Sequence, residues 1–130
     1  MTRRIVLICT LAIFVAVTLA AQGRWEVLGK RNVRDRLDHD TIVVGKNKGT
    51  FTAIKIDVGR RGVDFDRVVI HFANGGDQNV AMRASIPAKG ESRVIDIDGR
   101  NRVIRSIDFW YDAKSLGRGG SSTVRVLGRH

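Results

Sequence analysis

Between Arg67 and Ala73 the apolar side chains alternate: Val68, Ile70 and Phe72 fall on one side, Val69, His71 and Ala73 on the other. A period of two is the geometry of an extended strand, whose successive side chains leave opposite faces. The pattern returns at Thr52, Ile54 and Ile56 within Thr50 to Val58. It returns again in Arg102 to Tyr111, where Ile104 and Trp110 oppose Val103, Ile107, Phe109 and Tyr111. Beyond the N-terminal segment no stripe of 3.6-residue period lasts long enough to specify a helix. Further strands are predicted over Arg24 to Leu28, with Gly29 as their breaker, and over Thr41 to Val44, Asn79 to Ser85, Arg93 to Ile97 and Thr123 to Leu127. Lys30 to Asp40, mixed in charge and poor in apolar residues, reads as a loop. Turn chemistry separates the runs at Gly45–Gly49, Gly59–Gly62, Asn74–Asp77, Lys89–Glu91, Asp98–Asn101 and Gly117–Ser122. Pro87 marks a strand end or an edge. About eight short strands so spaced specify an all-β fold, an antiparallel two-sheet β-sandwich. The likeness of Val27-Leu28-Gly29-Lys30 to Val126-Leu127-Gly128-Arg129 suggests that the first and last strands lie side by side.

The start of the chain follows a different logic. Arg3 and Arg4 precede an apolar run from Ile5 to Ala16 that continues to Ala20, before polarity returns at Gln22, Gly23 and Arg24. A basic start, an apolar middle and a small-residue exit are the layout of a signal-peptide helix. Thr18 and Ala20 offer the small side chains that a leader peptidase accepts, placing cleavage after Ala20 or Ala21. The division is then a signal peptide over 1–21 and a single β-sandwich domain over 22–130. An uncleaved anchor fits less well, because the run is short of the roughly 20 apolar residues of a spanning helix and contains Thr10. Lipidation at Cys9 fits poorly too, since that cysteine lies within the apolar run. Export, to the periplasm or the medium, is the expectation, with no membrane span left after cleavage. Cys9 is the chain's one cysteine and leaves with the leader, so packing and sheet hydrogen bonds must stabilise the domain without a disulfide.

Losing Arg3 and Arg4 lowers the formal net charge only from +10 to +8. Lys30, Arg31, Arg34 and Arg36 form one basic group; Lys46 and Lys48, Arg60 and Arg61, and Arg100, Arg102 and Arg105 form three more. Several of these sit in turns, and guanidinium groups donate readily to phosphate and carboxylate oxygens. Arg60, Arg61, Arg100 and Arg102 are the candidate anion-binding residues. The partners they suggest are anionic glycans or phosphorylated lipid head groups, drawn by long-range attraction. Two alternatives stand beside this: dispersed charge that only keeps the domain soluble, and a structural or protein-interaction module that uses exposed strand edges. Sequence-specific nucleic-acid binding lacks the required aromatic and basic signature.

Catalytic and metal signals are weak. Asp38, His39 and Asp40 are the densest group of metal-ligand types, with Asp35 nearby, yet an extended chain turns His39 away from Asp38 and Asp40. Asp38 and Asp40 remain weak metal candidates in what reads as a solvated loop. Asp96 to Asn101 echoes the start of a calcium loop, but Arg100 stands where an oxygen ligand belongs and no Glu closes it. Ser115 to Ser122, around Arg118, could form an anion-binding nest or a mobile hairpin connection. It lacks the Lys-Ser or Lys-Thr pair of a nucleotide phosphate loop. His39, His71 and His130 have no Gly-x-Ser-x-Gly elbow or cysteine to activate, and Asp57 with Asp64 or Asp66 is a carboxylate pair without supporting geometry. No catalytic residue and no cofactor is assigned. A metal-dependent or hydrolytic enzyme is the disfavoured reading.

One resemblance covers most of the mature chain. It rests on Leu28-Gly29, Ile54-Lys55-Ile56, Val69-Ile70-His71-Phe72, Gly90-Glu91-Ser92-Arg93, Ile95-Asp96-Ile97, Arg102-Val103-Ile104, Ile107-Asp108-Phe109 and Val124-Arg125-Val126-Leu127-Gly128. Together these segments resemble a family of small exported bacterial proteins carrying a domain of unknown function, with no assigned activity. The resemblance implies export and a β-sandwich, and brings no catalytic motif. Relatives in that family carry a cysteine pair that this chain lacks, so it implies no disulfide here.

Overall fold

The computed structural model describes residues 24–130. The leader, 1–21, and its cleavage after Ala20 or Ala21 lie outside the described residues. Nine strands follow one another: β1 (Trp25–Arg34), β2 (His39–Val43), β3 (Thr50–Phe51), β4 (Ala53–Val58), β5 (Val63–Phe72), β6 (Asp77–Ile86), β7 (Ile95–Asp96), β8 (Arg102–Asp112) and β9 (Ser121–Arg129). Two 3-10 turns, Lys46–Lys48 and Ala113–Leu116, are the only helical segments among the described residues. None of those residues forms a helix long and apolar enough to cross a membrane.

Every pairing is antiparallel. One sheet has four strands in the order β1-β9-β4-β7, and the other has five, β2-β8-β5-β6 with β3 also alongside β8. Trp25 pairs with Arg129 and Arg34 with Ser121, so the first and last strands are neighbours, as their shared sequence suggests. The alternation in sequence becomes two inner faces. Ile54, Ile56, Val124 and Val126 from one sheet meet Val68, Ile70, Ile107 and Phe109 from the other, all buried.

Three segments depart from the sequence reading, each for a local reason. Gly29 does not end β1: the strand passes through it by way of a bulge. A Cβ on Gly29 would lie 2.5 Å from the Ile42 Cγ2 methyl, so the glycine answers close packing against β2. Residues 30–34 accordingly extend the strand, and 39–40 open the next, where a loop over Lys30 to Asp40 was expected. Thr50 to Val58 is two strands because the chain changes sheet at Thr52, where the Arg129 carbonyl accepts from both the Thr52 amide (2.8 Å) and hydroxyl (3.1 Å). In β8 the register skips Arg105 between Ile104, opposite Phe72, and Ser106, opposite His71. That bulge turns Ile104 inward beside Ile107, Phe109 and Tyr111, away from the Trp110 side where strict alternation places it.

Tyr111 leaves one uncompensated group in this core. Its hydroxyl is buried and has no hydrogen-bond partner among the described residues. Burial, then the carboxylates of Asp40 and Asp38, push its pKa up to about 12 against an opposing pull from the nearby Arg34 backbone, which lies outside good hydrogen-bond geometry. Tyr111→Phe removes an unsatisfied polar atom while keeping the ring. The variant should be more stable by about 1 kcal/mol in urea denaturation; a loss of stability would mean that the hydroxyl is bonded in solution.

The edge of β6 is not free for strand addition over its central stretch. Arg93 donates to the carbonyls of Ala81 and Met82, each at 3.2 Å, while the Gln78 amide bonds Asp96 and Asp98. Such capping is how sheet edges avoid pairing with other chains.

Candidate functional site

Strand β8 spans about 35 Å at the usual rise per residue, and its two ends carry different turns. At the end where β8 finishes lie the β1–β2 turn, the β4–β5 turn and the β8–β9 connection. At the end where it begins lie the β5–β6 and β7–β8 turns. The four arginines singled out by sequence therefore do not form one group. Arg60 and Arg61 belong to the first end, Arg100 and Arg102 to the second.

At the first end, the β4–β5 turn is fixed by the opening of β9. The buried Ser122 hydroxyl donates to the Arg61 carbonyl (2.7 Å) and accepts from the Arg61 amide (3.3 Å). Arg60 donates to the Ser121 hydroxyl at 3.0 Å, and Arg61 to the Leu116 carbonyl at 2.9 Å. Ser121 in turn faces Arg34 across the β1–β9 pair. Arg34, Arg36, Arg60, Arg61, Lys114 and Arg118 are all exposed at this end. None of the six forms an ion pair among the described residues. The nearby carboxylates are engaged by other donors: Asp35 by the Gly119 amide, Asp112 by the Lys114 amide, Asp64 by the Ser85 hydroxyl. Neutral contacts thus orient two guanidinium groups and leave their charge uncompensated, which suits them to an external anion.

The second end is built differently. The Arg102 guanidinium packs over the Phe72 ring, 3.7 Å from its centroid, and donates to the Asp98 carbonyl and the Asn74 side chain. It acts as a brace between two turns. Arg100 occupies the left-handed region, φ 57°, beside Gly99 at φ 78°, in the Asp-Gly turn expected there.

Asp38 and Asp40 do not converge with His39. Asp40 sits 3.3 Å from Arg31 and caps the Thr41 amide, while His39 stacks on Trp110 with ring centroids 4.5 Å apart. Among the described residues no three His, Cys, Asp or Glu side chains are placed to share a metal ion.

Sequence reasoning missed a polar cluster on the outer face of the five-stranded sheet. Asp108 stands at its centre, on β8. It accepts from the Thr41 hydroxyl, from His71 Nε2 at 2.5 Å and from His39 Nε2 at 3.1 Å. His71 Nδ1 reaches Asp77 at 2.6 Å, so one imidazole bridges two carboxylates. The bond to Asp108 raises the His71 pKa above its ordinary value, outweighing desolvation, with Asp77 adding to the rise. Burial pulls Asp108 upward, but the donors Thr41, His71 and His39 hold it below the usual carboxylate value. The signal for this cluster was His71 itself, which alternates with core residues along its strand. What sequence could not supply was the register that sets Asp108 between two histidines. Trp110 is no open platform for a ligand, since His39 stacks against it and the Arg67 guanidinium lies 3.8 Å from its ring centroid.

The family description that matches this chain is "Domain of unknown function (DUF2541)", over residues 6–128. The chain belongs to the DUF2541 family. No curated protein matches the sequence. Among solved structures, AlgX of Pseudomonas aeruginosa superposes with a TM-score of 0.52 at 12% identity, over 81% of this chain and 26% of AlgX. The DUF2541 chain thus spans about a quarter of AlgX, and at that identity the likeness shows a shared fold. The prophage-derived protein YomS gives a TM-score of 0.44 at 13% identity, covering 84% of this chain and 94% of its own. A variant of the carbohydrate-binding module CBM29-2, solved with cellulohexaose, gives 0.42 at 12% identity, covering 84% and 92%.

Proposed function

We propose that the DUF2541 domain is an exported, non-catalytic binding module that holds the phosphate, sulfate or carboxylate groups of an extracytoplasmic polyanion at the end built by Arg60, Arg61, Lys114 and Arg118. The observation that carries this reading is the anchoring of Arg60 and Arg61 by neutral oxygens, with no carboxylate paired to either among the described residues. A guanidinium held by one nitrogen keeps further donors aimed outward, and the ordering cost of binding is partly met in advance. Export is supported by the leader-like start of the chain, Arg3 to Ala21. A glycan and a lipid head group present the same oxyanions, and the surface chemistry does not differ between them.

The two ends of the sandwich supply their own control. Arg60→Ser with Arg118→Ser removes two exposed cations from the proposed site; Arg100→Ser with Arg105→Ser removes two exposed cations from the far end. Arg61 is left in place because the Leu116 carbonyl depends on it. On a heparin column the first variant should elute at markedly lower salt than the second, with the wild type last. Equal elution of the two variants would mean that only net charge is read, and the proposed site would be wrong. Flotation with phosphatidylglycerol vesicles, run on the same proteins, separates lipid from glycan as the source of the anion.

A further inference from the structure

We propose that the Gly119 amide, presented by the Gly117–Gly120 turn beside Lys114 and Arg118, is an anion-binding donor whose resident occupant is the protein's own Asp35 carboxylate, exchanged for a ligand oxyanion on binding. The inference rests on the reading above and names how the ligand is received. Gly117 (φ 75°, ψ 166°) and Gly119 (φ 71°) both have positive φ, which favours glycine at each. The turn is closed by the Gly117 amide on the Lys114 carbonyl (3.1 Å) and the Gly120 amide on the Gly117 carbonyl (3.0 Å). With the Gly117 and Gly120 amides bonded inside the turn, the Gly119 amide is the one offered to an acceptor from outside it. The Gly119 amide donates to Asp35, whose residue arrives from the separate β1–β2 turn. Asp35, Lys114, Gly117 and Arg118 line one open pocket on the surface. Beneath it the Arg61 guanidinium bonds the Leu116 carbonyl, adding a fixed positive charge to the floor of the turn.

Asp35 has the marks of a replaceable occupant. Although Lys114 and Arg118 share its pocket, it forms no ion pair with either among the described residues. Its carboxylate is held by a backbone amide, a donor that serves any oxyanion equally well. Its own backbone is tied to the turn through one bond, the Asp35 amide on the Gly120 carbonyl at 3.2 Å. A phosphate, sulfate or carboxylate entering the pocket can take the Gly119 amide while Asp35 swings to solvent, and the cations on the rim then face the ligand. Asp35 is in this sense a built-in competitor, which lowers affinity for single anions and favours polymers that engage several cations at once.

The test uses the protein labelled with nitrogen-15 and titrated with inorganic sulfate, reading the Gly119 amide. Asp35→Ser removes the competitor; Asp38→Ser removes an exposed carboxylate from the same turn and serves as the control for charge. Asp35→Ser should tighten sulfate binding about tenfold, the effect of freeing one charge-assisted donor, and Asp38→Ser less than about twofold. Should Asp35→Ser disorder the turn, seen as collapse of the Gly117–Gly120 amide signals, Asp35→Asn against Asp38→Asn makes the same comparison with the acceptor kept. Equal tightening by the Asp35 and Asp38 variants overturns the exchange and leaves the basic end intact as a site. If instead the Arg60 and Arg118 pair is indifferent on heparin, the site itself fails and the exchange with it.

Discussion

Gly120→Ala should destabilise the domain by about 3 kcal/mol, at the upper end of what overpacking normally costs. A Cβ at this position would lie 1.9 Å from the Leu116 carbonyl oxygen and 2.8 Å from an Arg61 guanidinium nitrogen. The carbonyl is backbone and cannot swing aside, and Leu116 is itself buried in the core. The turn or the start of β9 must therefore move. Its neighbour separates space from backbone strain: a Cβ at Gly119 meets nothing within 4 Å, but φ is 71°. Gly119→Ala should accordingly cost only about 1 kcal/mol. Urea denaturation at unchanged m-value measures both. Because the Leu116 carbonyl also anchors Arg61, Gly120→Ala should weaken heparin retention although it removes no charge. A Gly120→Ala domain as stable as Gly119→Ala would show that the turn packs more loosely than its geometry implies.

The parts of this fold that were legible in sequence are those fixed by local rules. Alternation placed Val68, Ile70 and Phe72 in the core, and Asp98-Gly99 marked a turn, because side-chain direction and backbone hand depend on near neighbours only. What was not legible depends on partners distant in sequence. Gly29 looks like a breaker until Ile42 is seen against it. Ile104 falls on the Trp110 face until the pairing with β5 reveals the bulge at Arg105. The same division runs through the candidate site. Turn-borne arginines were visible, but only strand order could send Arg60 and Arg61 to one end and Arg100 and Arg102 to the other. Ser121 and Ser122, which read as flexible linker, proved to be the first residues of β9 and the anchors of the Arg60–Arg61 turn. Asp35 stood out only as a neighbour of the Asp38 to Asp40 group, since its partner Gly119 lies across the β1–β9 pairing in another turn.

The Asp108 cluster predicts that the domain is most stable in mildly acid solution. The His71 pKa is raised from 6.5, chiefly by its bond to Asp108. The stability it contributes is therefore complete below pH 6.5 and fades as pH rises through the folded value. Asp108 is lowered from 3.8, burial being outweighed by Thr41, His71 and His39. Its contribution is complete above pH 3.8 and fades as pH falls through the folded value. Both contributions are present together between about pH 4 and 6.5. Thermal unfolding of the wild type should accordingly occur at a higher temperature at pH 6 than at pH 8.5, and His71→Gln should remove most of that difference. His130, raised by Glu26 and by the Thr50 carbonyl, has the same sign, but its side chain is about half exposed and solvent screens the pair. His130→Gln should leave the slope nearly unchanged. Asp108→Ala withdraws the acceptor shared by Thr41, His39 and His71 across three strands, in a side chain 18% exposed. It should cost about 2 to 3 kcal/mol at pH 6, and less at pH 8.5, because the charge on His71 is lost as pH rises. If His71→Gln keeps the wild-type slope, the pH dependence arises elsewhere, and the bridge between Asp77 and Asp108 does not hold in solution.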